Sequence, residues 1–318
     1  MTDRQFSYAR LAMIFILAML SLCGFSKDKG HRRKSFEYTQ EYAFSGVRSI
    51  VVKSESSKFY SHRVTGQIDV KLVQSKDERV VFSIVRASDV DVFKIEKIGN
   101  TLKINAGDKN LDSAGHPGRP EAVVTVYTKD INRIEMGGAN ALTATGYFTG
   151  RSMNLNLYGA SEVMGLSGRW NDLNIKLSGA SDLNMVKVES SNVNLVCEDA
   201  SDFVISGKGK VFKITASGST DVEAENFPVK DVDAKLKGAA DVTVNASGTV
   251  KYTATGSADF DWVGAPPNYQ KLTSLDDKRN RTVVRPHNLR KDSRISQSGI
   301  QIAAGEKIVN APPYVPGP

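Results

Sequence analysis

Glu162, Asp182, Asp202, Asp221, Asp241 and Asp259 follow one another at intervals of 20, 20, 19, 20 and 18 residues. Carboxylates at a constant period can be stacked into one column, and charges roughly 5 Å apart repel unless something answers them. Two answers are open: turn amides donating hydrogen bonds to the side-chain oxygens, or cations held between neighbours. Capping of the turns is the preferred reading. Asp182, Asp202, Asp221 and Asp241 stand as the calcium candidates, although the dense Gly and Asp loop of calcium-binding β-rolls is missing. Acid–base catalysis would need a local pair set apart from the pattern, and this ladder is uniform. His31, His62, His116 and His287 all lie outside it, and no Gly-x-Ser-x-Gly, His-Glu-x-x-His or phosphate-loop motif occurs. The chain is therefore read as non-enzymatic, with no catalytic residues and no cofactor.

A second set of residues could bind rather than react. Tyr147, Phe148 and Arg151 fall in one stretch between repeats and Arg169 and Trp170 in the next, so neighbouring repeats could present aromatic and cationic groups to a glycan or a protein. The alternative is that these rings cover the core at a corner. Cys197 sits where other repeats carry Leu, which makes it a buried small hydrophobe rather than a nucleophile.

What positions these residues is a repeat. Gly138-Ala139-Asn140-Ala141, Gly159-Ala160-Ser161-Glu162, Gly179-Ala180-Ser181-Asp182, Asp199-Ala200-Ser201-Asp202, Gly218-Ser219-Thr220-Asp221, Gly238-Ala239-Ala240-Asp241 and Gly256-Ser257-Ala258-Asp259 mark seven small-residue corners. A period near twenty is one coil of a β-solenoid, too short for a pair of helices. Before the corner, apolar columns run Met136, Leu157, Leu177, Cys197, Ala216, Leu236, Ala254 and Ile134, Leu155, Ile175, Leu195, Ile214, Ala234, Tyr252. After it they run Leu142, Val163, Leu183, Phe203, Val222, Val242, Phe260 and Ala144, Gly165, Met185, Ile205, Ala224, Val244, Trp262. Alternation of period two on both sides predicts two half-buried strands per coil, with Asn154, Asn174, Lys176, Lys213 and Lys235 facing out. Gly at the corner predicts φ > 0, for which Asp199 is the next best residue type.

These Gly-Ala-x-Asp units, the run Phe44-Ser45-Gly46-Val47-Arg48-Ser49-Ile50 and the phrase Gly99-Asn100-Thr101-Leu102-Lys103-Ile104 resemble the putative auto-transporter adhesin, head GIN domain family of secreted bacterial proteins, typical of Bacteroidetes, over about residues 42–265. The resemblance implies a right-handed parallel β-helix at the cell envelope, with adhesion as the family's inferred role and no catalytic residues to transfer. The fold expected is all-β: a solenoid of about seven coils (136–265) behind an irregular β cap region (42–135).

Ahead of it, Arg4 and Arg10 precede the apolar run Leu11 to Leu22, the length of a signal-peptide core and short for a membrane span. Residues 1–26 are expected to be a signal peptide cut after Ser26. A lipid anchor on Cys23 is the alternative, disfavoured by Leu22 before it, and an uncleaved anchor is a third. The expected basic linker (27–41) and the expected flexible tail (266–318) hold much of the net charge of +7: nine Lys and Arg against four Asp and Glu follow Pro267. Basic ends on an exported chain could hold it near anionic lipid or envelope polymer, or be merely solvated. Nucleic acid is disfavoured as partner, since export puts the chain in the wrong compartment and no basic helix or stacking aromatic platform is interleaved with the charge. A non-enzymatic adhesion or binding scaffold is expected, with envelope glycans or surface proteins as partners; the alternatives are a carbohydrate-active β-helix enzyme and a purely structural envelope protein.

Overall fold

The computed structural model describes residues 36–54, 63–110, 121–264 and 268–271. The expected signal peptide, most of the linker and most of the tail lie outside the described residues. The described part is a parallel β-solenoid. On its first side, the strands Arg133–Gly138, Phe148–Gly159, Gly168–Leu177, Asp182–Cys197, Asp202–Gly218, Asp231–Gly238 and Thr249–Gly256 stack in parallel. On the second side run Ala141–Thr145, Glu162–Leu166, then the starts of Asp182–Cys197 and Asp202–Gly218, then Asp221–Val229, Asp241–Ala246 and Asp259–Val263.

The register follows the apolar columns. Ile134 stands against Leu155, Leu155 against Ile175, Ile175 against Leu195, Leu195 against Ile214 and Ala234 against Tyr252. Every member of the four columns is buried except Gly165, which has no side chain to bury. Each large aliphatic residue removed from water contributes roughly 1.5–3 kcal/mol. No coil could bury its inward row alone, so these contributions exist only in the stack.

At the seven corners φ is positive throughout, 87° at Gly138, 80° at Gly179 and 68° at Asp199. The Asp199 side chain repays its left-handed backbone by accepting a hydrogen bond from the Gly179 amide, 3.0 Å away in the preceding coil.

The region expected as an irregular cap does more than cover an end. Ser49–Ser54 and Gln67–Gln74 form a layer parallel to Arg133–Gly138 and Ala141–Thr145. Thr101–Ala106 and Glu121–Thr128 form another on its far side. The stack therefore continues past the first periodic corner, with Ile50 and Leu102 extending the Ile134 column. Antiparallel strands finish that end: Arg79–Ile84 on Glu121–Thr128, Tyr38–Tyr42 on Arg79–Ile84, and Phe93–Ile98 on Thr101–Ala106. They remove strand edges that would otherwise be free to pair. Two boundaries differ from expectation. Tyr38–Tyr42, all but its last residue placed in the linker, is a strand, and Asn268–Lys271, placed in the tail, pairs in parallel with Thr249–Gly256. Both supply hydrogen bonds to an edge that lacked a partner.

Candidate functional site

The acidic column forms as its spacing requires. Glu162 is in register with Asp182, Asp182 with Asp202, Asp202 with Asp221, Asp221 with Asp241 and Asp241 with Asp259, all exposed. At four corners the turn is held by another residue in place of the carboxylate cap expected of the column, whereas Asp221 does accept a backbone hydrogen bond, from Val222. The residue before the column position points inward: Asn140 (before Ala141), Ser161, Ser181, Ser201, Thr220, Ala240 and Ala258 are all buried, with Thr220 Oγ1 finding no partner among the described residues and the two alanines having no donor to offer. Ser161 Oγ donates to the Tyr158 carbonyl at 2.9 Å, Ser181 Oγ to the Ser178 carbonyl at 3.1 Å, Ser201 Oγ to the Glu198 carbonyl at 3.0 Å and Asn140 Nδ2 to the Gly137 carbonyl at 2.7 Å. The corner strand alternates in and out, so a hydroxyl placed inward reaches the turn carbonyl while the next side chain projects away from it. The carboxyls of Asp182 and Asp221 are raised above their ordinary value, first by partial burial and then by the neighbouring carboxylates, Asp202 for the former and Asp241, Glu223 and Asp202 for the latter. Among the described residues no group of three His, Cys, Asp or Glu side chains is arranged to hold a metal ion. Cys197 is buried in its column, its thiol pushed up to about 12 by desolvation.

The other candidates lie on a short third side of the prism, between the second strand of one coil and the first strand of the next. Here Phe148 stands opposite Gly168, Trp170 opposite Gly150 and Ser190, and Ser190 opposite Gly209. Phe148 and Trp170 are buried, so their rings belong to the core and are not offered to a ligand. Large and small alternate between layers. A Cβ on Gly168 would come within 2.5 Å of the Trp170 ring, so the ring occupies space that glycine leaves.

The outward residues of the same strands make a surface site. Arg169, Glu189 and Lys208 stand in register on successive coils. Arg169 Nε donates to Glu189 Oε2 at 2.7 Å, and Lys208 Nζ lies 3.2 Å from Glu189 Oε1. These bonds hold the Glu189 carboxyl below the usual carboxylate range and raise the Arg169 guanidinium above its own. With Tyr147, Lys187, Val188 and Gly207 the three line a shallow groove of about 470 Å³. Three cations and one anion give it a net positive charge. Of the five binding candidates, Tyr147 and Arg169 thus meet in the groove, Phe148 and Trp170 turn inward, and Arg151 is exposed but outside the lining. Lys187, Glu189 and Lys208 were not singled out from the sequence. The available signal was the spacing of Arg169, Glu189 and Lys208, 20 and 19 residues apart with alternating charge.

Residues 58–266 match the family model described as putative auto-transporter adhesin, head GIN domain. No curated protein matches the sequence. Among solved structures, a putative adhesin of Parabacteroides merdae superposes with a TM-score of 0.61 at 14% identity, covering 74% of this chain and 92% of its own. A putative adhesin of Parabacteroides distasonis gives 0.63 at 16% identity, with 74% and 94% covered. A protein of the same species described as a putative lipid binding protein gives 0.61 at 16% identity, with 74% and 92% covered. At these identities the similarity is one of fold.

Proposed function

The chain belongs to the putative auto-transporter adhesin, head GIN domain family, and from that premise we propose that it is an exported, envelope-associated scaffold that binds or adheres without catalysing a reaction. The observation that carries this reading is the groove of Tyr147, Arg169, Lys187, Glu189 and Lys208. Its polar groups come from consecutive layers of a hydrogen-bonded stack, so their spacing is fixed by the backbone rather than by loops. An open, shallow surface lined by an aromatic ring and long cationic side chains suits contact with an extended ligand. A small substrate enclosed for reaction needs a deeper concavity. The fold relatives described as adhesins and as a lipid binding protein are likewise described by binding rather than by turnover. Envelope glycans or surface proteins are the partners this surface fits.

The test is an array of cell-envelope fractions and purified glycans probed with the protein, paired with a search for polysaccharide cleavage by reducing-end assay. Saturable binding that weakens in Arg169→Ala, with no new reducing ends, is the expected outcome. Cleavage of any polymer in the array would sink the non-enzymatic reading, and binding indifferent to Arg169 would remove the groove from it.

A further inference from the structure

Resting on that reading, we propose that the groove takes an anionic polysaccharide, one whose sugars carry carboxylate or sulfate groups, and that Glu189 holds the place of the ligand's acid group while the groove is empty. Lys187 supplies the first argument. It is exposed and lines the groove, and among the described residues its ammonium forms no ion pair. Its backbone is left-handed, φ 54°, at the bulge in Asp182–Cys197 between the second and third sides. At the same bend other coils use glycine for their positive φ, Gly146 at 119°, Gly165 at 73° and Gly207 at 135°, the last opposite Val188. A lysine there costs backbone energy that glycine would not, and such strain persists where the side chain is used.

The second argument is the ladder. Arg169 and Lys208 sit two layers apart, roughly 10 Å at the spacing of β-strands, with Glu189 bonded to both from the layer between. A carboxylate bridging two cations is the contact that an acid group of a bound polymer would make in its place. A polysaccharide running along the stack advances by about one sugar for each coil, so acid groups on successive or alternate sugars meet Arg169, Lys187 and Lys208 in turn. Tyr147 flanks Arg169 and gives a sugar ring an amphipathic face to lie against. Displaced from the cations, Glu189 becomes a like charge facing the polymer. It therefore lowers affinity and restricts binding to ligands with enough charge to outcompete it.

The experiment measures binding of the full-length mature chain to polygalacturonate, dextran sulfate and neutral dextran at low salt, beside the envelope array. Binding to either acidic polymer and not to neutral dextran is expected, weakening as ionic strength rises. Lys187→Gly and Lys208→Ala should each weaken it about fivefold, the effect of one surface cation near an anionic partner. Glu189→Gln should tighten it by a similar factor. Because glycine suits the left-handed backbone, Lys187→Gly should melt no lower than the parent, so that lost binding is not lost folding. The control is Lys235→Ala with Lys251→Ala, exposed cations on the first side, which should leave binding unchanged. The proposal is overturned if Lys187→Gly and Lys208→Ala behave like this control, if Glu189→Gln weakens binding, or if neutral dextran binds as well as the acidic polymers. Envelope binding that depends on Arg169 without any acidic-polymer binding would overturn it and leave the binding reading standing. Loss of both would remove the two together.

Discussion

Asp221→Asn should stabilise the protein at neutral pH. Asp221 stands in register between Asp202 and Asp241, and adjacent strands are about 4.8 Å apart. Two unit charges at that distance in a water-like medium repel by about 0.9 kcal/mol. Screening at physiological ionic strength, where the Debye length is about 8 Å, leaves about 0.5 kcal/mol for each neighbour, hence about 1 kcal/mol for the pair. Desolvation adds to this and is the first cause of the raised Asp221 carboxyl, ahead of Asp241, Glu223 and Asp202. The sign follows from linkage. A carboxyl whose folded value lies above its unfolded one favours the native state when protonated and loses that contribution as pH rises through the folded value. At pH 7 the ionised group is therefore a cost, which the neutral isostere removes. Urea denaturation at pH 7 should show a higher midpoint with an unchanged slope and a gain of at least about 1 kcal/mol. In 1 M salt, with a Debye length of about 3 Å, the repulsive part of the gain should fall to about 0.3 kcal/mol, while the desolvation part stays. Below about pH 3, where the carboxyls are protonated in both states, the whole gain should vanish. A destabilised Asp221→Asn at pH 7, or a gain that salt does not reduce, would refute the account of the column as uncompensated charge. Destabilisation seen only with calcium present would make the column a cation site.

Ser181→Ala should cost about 1 kcal/mol, because its buried hydroxyl donates to the Ser178 carbonyl at the corner; an unchanged denaturation midpoint would show that the hydroxyls do not hold the corners. Leu177→Asp should cost more than about 4 kcal/mol and abolish cooperative melting, since it buries a charge with Leu157 and Cys197 in register on either side; an unaltered melting curve would show that the inward register is wrong. Glu78 accepts from the Gly46 amide at 2.6 Å and from Arg48 at 3.0 Å, which lowers its carboxyl from 4.5 to about 2. Its contribution is present above its unfolded value of 4.5 and lost as pH falls toward 2. Glu78→Gln should accordingly lower stability at pH 7 and flatten part of the acid-side decline in the melting temperature; a variant whose pH profile parallels the parent's would remove Glu78 from it.

Much of the solenoid was legible in the sequence because two periodicities agree. Alternation of period two fixed which side chains of Met153 to Leu157, and of their equivalents in later coils, face inward. A corner every twenty or so residues fixed which of them share a column. Positive φ at Gly138 and Asp199 follows from the same corners. The third side was not legible for a specific reason. Its inward positions hold Phe148 in one layer and Gly168 in the next, Gly150 and then Trp170, so no column there repeats an apolar type. Complementary volume across layers decides which parity is buried, and volume is a property of the stack. The place of Ser49–Ser54, Gln67–Gln74, Thr101–Ala106 and Glu121–Thr128 was hidden likewise, because these two layers are not stacked in chain order: the first pairs with the later coils and the second returns to its far side. The groove shows the same division. The sequence offered Tyr147 and Arg169, but Glu189 and Lys208 became successive neighbours of Arg169 only when coil rise converted a spacing of about twenty residues into about 5 Å. The chain by itself determined the coil, its corners and its core register. The tertiary stack decided which of the outward charges meet.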